Sequence, residues 1–161
     1  MKPKVYIETT IISYLTAWRS PQLVMAANQE MTRDWWDDER DNFDLYISEA
    51  VVQEASAGDP AAAQRRLEVL QKLSELPITD EARDLAKILI ESTPLPEKAS
   101  VDAVHIATAT VNGMDYLLTW NCRHIANATL RYSMSEICLA AGYVMPIICT
   151  PLELIAETRN D

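Results

Sequence analysis

Three glycines, one phenylalanine, three cysteines and two histidines in 161 residues remove several readings at the outset. Gly58, Gly113 and Gly142 are scattered, so the glycine-rich phosphate loop of a nucleotide-binding enzyme cannot be built and no nucleotide cofactor is expected. Cys122, Cys138 and Cys149 are odd in number and lack paired spacing, which suits reduced thiols in a cytoplasmic protein better than a disulfide framework. Cys122 and His124 with one distant His105 do not have the spacing of a structural zinc site. No apolar run approaches the roughly 18 to 20 residues of a bilayer span, and Met1-Lys2-Pro3-Lys4 leads into a short strand pattern instead of a signal-peptide core. Basic residues are scarce, 14 against 24 acidic ones for a net charge of −10 at pH 7. That balance argues against holding nucleic acid through a broad basic surface, without excluding a nuclease.

What is present is a globular composition, 48% hydrophobic and 24% charged, in a chain the size of one ordinary domain. A chain this long hides roughly 70% of its unfolded surface, so the core needs no metal for support and any metal would be functional. Five β-like runs can be read: Lys4 to Glu8, Leu45 to Ser48, a weak one around Leu76 to Ile78, Tyr116 to Trp120, and Met145 to Cys149. Helical patterns lie between them. Ile11, Ile12 and Leu15 form one apolar stripe, and a second stretch runs from Pro21 toward Trp35 and Trp36. Asp59-Pro60 opens a third with Leu67, Leu70 and Leu73. Thr79-Asp80 caps a fourth through Leu85, Ile88 and Leu89, and Ser100 caps a fifth whose buried side is Val101, Val104, Ile106, Ala107 and Val111, with Gly113 as its stop. Strands alternating with helices imply an α/β fold around a mainly parallel sheet of four to five strands, covered on both faces. The acidic stretch Asp34, Asp37, Asp38, Glu39, Asp41 and Asp44 reads as a solvated helix end and loop, or as a docking surface for a basic partner.

In such a sheet, groups just after strands and in first helical turns gather at one edge. Glu8 ends the first strand, Glu54 lies about two turns into the helix after the second, Asp102 is in the first turn of its helix, and Asn121 follows the fourth strand. Each also has an ordinary role: Asp102 favouring a helix dipole, Glu54 as an exposed helix residue, Asn121 as a helix cap. Glu8 is the hardest to explain away, because acids are poor strand residues. Carboxylates gathered without Lys or Arg repel unless a cation binds, and hard oxygen ligands suit Mg²⁺ or Mn²⁺. Such an ion polarises a phosphodiester, activates water and stabilises the leaving oxygen, so phosphodiester hydrolysis is the natural chemistry.

The series Tyr6-Ile7-Glu8-Thr9-Thr10-Ile11-Ile12-Ser13-Tyr14-Leu15, Ser48 through Glu54, Asp102-Ala103-Val104-His105-Ile106-Ala107, and Leu117-Leu118-Thr119-Trp120-Asn121-Cys122-Arg123-His124-Ile125 resembles a PIN domain of the VapC toxin type. Pro146-Ile147-Ile148-Cys149-Thr150-Pro151-Leu152-Glu153-Leu154 resembles the end of that family. The resemblance implies a three-layer α/β/α PIN-like domain over residues 1–157, followed by a short C-terminal tail, 158–161. It implies an endoribonuclease that uses Mg²⁺ or Mn²⁺, leaves a 5′-phosphate and a 3′-hydroxyl, forms a homodimer and is silenced by a cognate antitoxin. By position Glu8, Glu54 and Asp102 match the family's acids, and Asn121 stands where a fourth acid is common. Where the family opens Asp-x-Asn, this chain has Glu8-Thr9-Thr10.

The expected site is therefore catalytic Glu8, Glu54, Asp102 and Asn121, with one metal at Glu8 and Asp102 and Glu54 acting directly or through water. Thr10, Arg123 and His124, the last two at an expected helix start, are the substrate-binding candidates. Lys98, Arg65, Arg66 and Arg131 are further phosphate contacts to consider. His105, three residues after Asp102, reads as a packed residue or an orienter of that acid. The four tryptophans read as core and interface bulk, with Trp35 and Trp36 the candidates for a dimer or antitoxin surface. The competing reading is a degenerate PIN-like module that binds RNA or protein without cutting. A phosphoacceptor receiver domain is set aside, since Cys149-Thr150-Pro151 supplies no Lys after the last strand.

Overall fold

The computed structural model describes residues 1–157, so the expected tail at 158–161 lies outside the described residues. Five parallel strands, β1 (Lys4–Ile7), β2 (Asp44–Ser48), β3 (Ser74–Leu76), β4 (Tyr116–Leu118) and β5 (Ile147–Cys149), form one sheet in the order β3-β2-β1-β4-β5. Val5 pairs with Leu45 on one side and with Tyr116 on the other. β1 is thus central, and Val5, Tyr6 and Ile7 are fully buried. Seven helices are described: α1 (Thr9–Thr16), α2 (Leu23–Asp38), α3 (Glu49–Ala55), α4 (Pro60–Leu70), α5 (Asp80–Ser92), α6 (Ser100–Val111) and α7 (Ala128–Ala140).

The chain steps from β1 through β2 to β3 in one direction, then crosses to β4 and β5 in the other. Right-handed crossovers place helices of the two halves on opposite faces. In keeping with this, α1 packs with α2, α3 and α4, while α5 packs with α6 and α7. The result is a three-layer α/β/α fold around a fully parallel five-stranded sheet. The reversal of direction beside β1 puts the carboxyl ends of β1, β2 and β4 around one crevice, the place where such sheets bind ligands. No helix among the described residues is long and apolar enough to cross a membrane.

Local chemistry explains most boundaries. Asp59 caps α4 by accepting from Ala62 N at 2.9 Å with Pro60 behind it, and Thr79 caps α5 by accepting from Ala82 N; such caps contribute about 1 kcal/mol each. The third strand lies two residues earlier than expected, at Ser74–Leu76, because Pro77 has no N–H to continue a ladder. β5 likewise starts only after Pro146. Ser100 does not cap α6: a 3-10 turn over Glu97–Ala99 runs straight into the helix, leaving Ser100 as its first residue. Val101 is 43% exposed, not buried as expected, because Ala99, Ala103 and Ile106 supply the inward face at this end of α6.

Trp35 and Trp36 are core residues and not a docking surface. The Trp35 indole donates to Leu154 O, and its ring stacks on Phe43. Trp18, Leu23, Val24 and, less so, Met25 are exposed apolar side chains where α1 hands over to α2. Five of the six acids from Asp34 to Asp44 are exposed, as a solvated stretch requires.

Candidate metal and acid site

Glu8 directly follows β1, and its backbone N–H continues the sheet by donating to Leu118 O at 3.1 Å. Its side chain is only 2% exposed and caps α1 by accepting from Thr10 N at 3.0 Å. The Thr10 and Thr119 hydroxyls donate to the same oxygen, Oε2, the second at 2.8 Å. Each hydroxyl also accepts a backbone N–H, Thr10 from Trp120 and Thr119 from Asn121. Two threonines therefore lace the segment after β4 to the acid after β1. Burial raises the Glu8 pKa, partly offset by nearby His105 and by the hydrogen bonds from Thr10 and Thr119.

Glu54, in the last turn of α3, approaches from the other side of β1. Its Oε1 accepts from Thr9 Oγ1 at 2.7 Å and meets His105 Nε2. Burial acts to raise its pKa too, but the hydrogen bonds from His105 and Thr9 outweigh burial and hold the carboxyl below its ordinary value. His105 is fully buried, and its Nδ1 lies 2.7 Å from the Tyr6 hydroxyl, itself 2.7 Å from Ser48 Oγ. Glu8, Glu54 and His105 each offer one ligand atom within 4.8 Å of the others. No Lys or Arg pairs with Glu8 or Glu54 among the described residues. A buried carboxylate beside a second, without a fixed cation, is a donor set that fits a divalent ion.

Asp102 stands one turn before His105 on α6 but is not a member of that group. Asn121 Nδ2 donates to its Oδ1 at 3.1 Å, and His124 Nδ1 lies 2.9 Å from its Oδ2. Hydrogen bonds run from Glu8 through Thr119 and Asn121 to Asp102, so the two clusters are neighbours in one network. The structure groups Glu8 with Glu54 and His105, and hydrogen-bonds Asp102 to Asn121 and His124. Arg123 and His124 lie in turns and not at a helix start, since α7 begins only at Ala128, where Asn127 supplies the cap. Asn121 closes the turn by accepting from His124 N at 3.1 Å.

Of the substrate-binding candidates, Thr10 has its hydroxyl committed to Glu8 and Trp120, Arg123 is exposed, and His124 is half-buried against Asp102. Arg66 is occupied by Ala55 O and Ala57 O, and Arg65 by Thr16 O and the Trp18 ring. His105 is packed and orients an acid, as expected, but that acid is Glu54 and not Asp102. Sequence reasoning misses Tyr6 and Ser48 as its partners. The available signal is that Tyr6 and Glu8 are two residues apart on a strand and therefore share a face. A groove of about 400 Å³ opens beside Glu54, lined in part by Gln53, Ile78, Arg83, Ser100 and Val101, which gives the exposed Val101 a setting.

Fold and site together define an α/β protein with carboxylates gathered at the carboxyl edge of a parallel sheet. Residues 5–127 match the PIN domain family. The chain belongs to that family. Its structure is similar to Mycobacterium tuberculosis VapC20, a sarcin–ricin loop cleaving toxin, with a TM-score of 0.59 at 14% identity over 88% of this chain and 99% of that one. It is also similar to VapBC2 from Rickettsia felis bound to a DNA fragment from their promoter, with a TM-score of 0.53 at 12% identity over 91% of this chain and 98% of that one. A search of curated proteins by sequence finds no significant match.

Proposed function

We propose that residues 1–157 act as one PIN-like domain, a metal-dependent endoribonuclease that hydrolyses RNA phosphodiester bonds in the cytoplasm as the toxin of a toxin–antitoxin pair. The observation that carries this reading is Glu8, a buried acid without a Lys or Arg partner among the described residues, within 4.8 Å of a second acid at the carboxyl edge of the sheet. An RNA-cleaving toxin and a toxin–antitoxin pair among proteins of similar fold support it.

Glu8 and Glu54 would hold Mg²⁺ or Mn²⁺, with Asp102 completing the acidic surround from the adjoining cluster. A divalent ion held there supplies Lewis acidity toward the phosphodiester and lowers the pKa of water. The chain's own residues prepare the place: Thr10 and Thr119 fix Glu8, Thr9 and His105 fix Glu54, and Asn121 fixes Asp102. Arg123 and His124 would contact RNA phosphates, and Thr10 would contribute by holding the acid. The exposed Trp18, Leu23 and Val24 offer apolar surface for the antitoxin or a second copy. The test is cleavage of an RNA pool with Mn²⁺, compared between wild type and Glu8→Gln. Metal-dependent cleavage lost in the variant supports the reading, and no cleavage with no metal binding overturns it.

One observation favours a second reading, a PIN-like module that binds RNA or protein without cutting. Asn121 is neutral, and both Asp102 oxygens are already engaged by protein groups. RNA retention without cleavage in the same assay would select it.

A further inference from the structure

The cluster of acids does not reveal what His105 does there. Its Nε2 lies among the atoms close enough to share an ion with Glu8 and Glu54, so on proximity alone it is a third ligand. Its hydrogen bonds say otherwise. We propose that Tyr6 fixes His105 as a donor to Glu54, so that the imidazole positions this carboxylate and stays outside the ion's ligand set, leaving a site selective for ions satisfied by carboxylate oxygens. This rests on the metal-dependent reading above.

The bookkeeping of protons carries it. A neutral imidazole carries a proton on one nitrogen and a lone pair on the other, and the buried chain on the Nδ1 side decides which: with Nδ1 accepting from Tyr6, Nε2, which faces Glu54 Oε1, carries the proton. A protonated Nε2 has no lone pair to give a metal. On the other side of the ring, the buried chain Ser48 Oγ, Tyr6 OH, His105 Nδ1 has two contacts of 2.7 Å. When the Ser48 hydroxyl donates to Tyr6, and Tyr6 to Nδ1, every proton in the chain has an acceptor. The reverse direction requires Nδ1 to donate to Tyr6 and Tyr6 to Ser48, which leaves a fully buried Ser48 hydroxyl hydrogen without one. Buried donors are rarely left unpaired. The Tyr6 hydroxyl is thus the group that keeps the ring's lone pair on the Nδ1 side, away from the acids.

The chemical consequence is selectivity. An imidazole nitrogen added to carboxylates draws Zn²⁺ and other borderline ions, whereas carboxylates and water alone suit Mg²⁺ and Mn²⁺. Tyr6 and His105 are positioning residues in this scheme, acting on the ion through Glu54.

Two measurements test it. Long-range ¹H–¹⁵N NMR of the imidazoles is expected to find a proton on His105 Nε2 in the wild-type protein, and to find it unchanged at saturating Mg²⁺. An unprotonated Nε2, before or after Mg²⁺, overturns the proposal, and this spectrum needs no variant to fold. Calorimetry with Mn²⁺ and Zn²⁺ is expected to show Mn²⁺ affinity falling by about tenfold or more in Tyr6→Phe, the usual scale for a lost supporting partner, with preference shifting toward Zn²⁺. His105→Gln, which keeps an N–H donor, is expected to retain more Mn²⁺ affinity than His105→Ala. A folded Tyr6→Phe protein with unchanged Mn²⁺ affinity and unchanged preference overturns it. A wild-type protein that binds neither Mg²⁺ nor Mn²⁺ overturns the nuclease reading and the selectivity with it, and the Nε2 spectrum tells that failure apart from a wrong arrangement of His105.

Discussion

Helix α6 carries two site residues one turn apart, and their surroundings differ sharply. His105 is fully buried and tied to the central strand through Tyr6, to β2 through Ser48 and to α3 through Glu54. Asp102 is half-buried, and among the described residues its side chain is tied to the segment after β4, through Asn121 and His124. The inner cluster is thus built on strands and helices that the hydrophobic core already positions. The outer one is built on turns with their own hydrogen bonds. Sites on rigid elements hold their geometry better than sites on loops, so under the proposed function the inner cluster would hold the ion and the outer one would adjust to RNA.

The largest effects should separate the two. Glu8→Gln keeps the shape and the hydrogen bonds from Thr10 and Thr119 but removes the buried charge. It should weaken Mn²⁺ binding and RNA cleavage by at least about 100-fold, the upper end of what loss of a mere supporting group costs. Asp102→Asn should weaken Mn²⁺ binding clearly less, while still lowering cleavage. Calorimetry and a cleavage assay on both variants check this, and equal losses of metal affinity would break the distinction between the clusters.

Stability gives the next contrast. His105→Ala takes a partner from the buried Tyr6 hydroxyl and from the exposed Glu54 carboxylate, which water can reach, a cost of about 1 to 3 kcal/mol for the buried group left short. A loss of that order lowers Tm by roughly 2 to 4 °C per kcal/mol in a domain of this size. His124→Ala removes a half-buried contact on a turn and should cost below about 1 kcal/mol. Thermal melts of the two variants, with no metal added, rank them directly. A larger loss in His124→Ala would mean that the turn after β4, and not the core, holds this edge of the fold together.

The same division governs what can be read from the residues alone. Strand ends, the helix caps Asp59 and Thr79, and Glu8 as an anomalous acid at the end of an apolar run are local patterns, and the fold follows from them. The Tyr6 contacts span 42 residues to Ser48 and 99 to His105, and they exist only because β1 lies between β2 and β4. No local pattern encodes that. Asn121 was legible as a polar group after a strand, but its partner Asp102 is set by the path of the turn before α7. Val101 is apolar and fits a helical period, yet the inward face at this end of α6 is made by Ala99, Ala103 and Ile106. Proximity to the ends of strands is a matter of topology, whereas which atom meets which is a matter of packing.

The smallest expected effect is the pH dependence of the metal-free protein, and it sets Glu8 against Glu54 within the inner cluster. Glu8 has a raised pKa from burial, so the folded state holds its proton after the unfolded chain has released it. Stability from this group falls as pH rises from the ordinary glutamate value through the folded one. Glu54 has a lowered pKa, because its hydrogen bonds from His105 and Thr9 outweigh its burial. Its contribution is present above the ordinary value and is lost as pH falls through the folded value. Denaturation of metal-free wild type, Glu8→Gln and Glu54→Gln at pH 4 and pH 7 should show the stability difference from wild type moving in opposite directions for the two variants. Glu8→Gln should compare better with wild type at the higher pH, and Glu54→Gln worse. Mn²⁺ should then reverse the first comparison, because wild-type Glu8 recovers on ion binding what its burial costs. Parallel slopes for the two variants would show that the carboxylates share one environment, and the fixed hydrogen-bond partners of Glu54 would no longer explain why one acid is poised to lose its charge and the other to keep it.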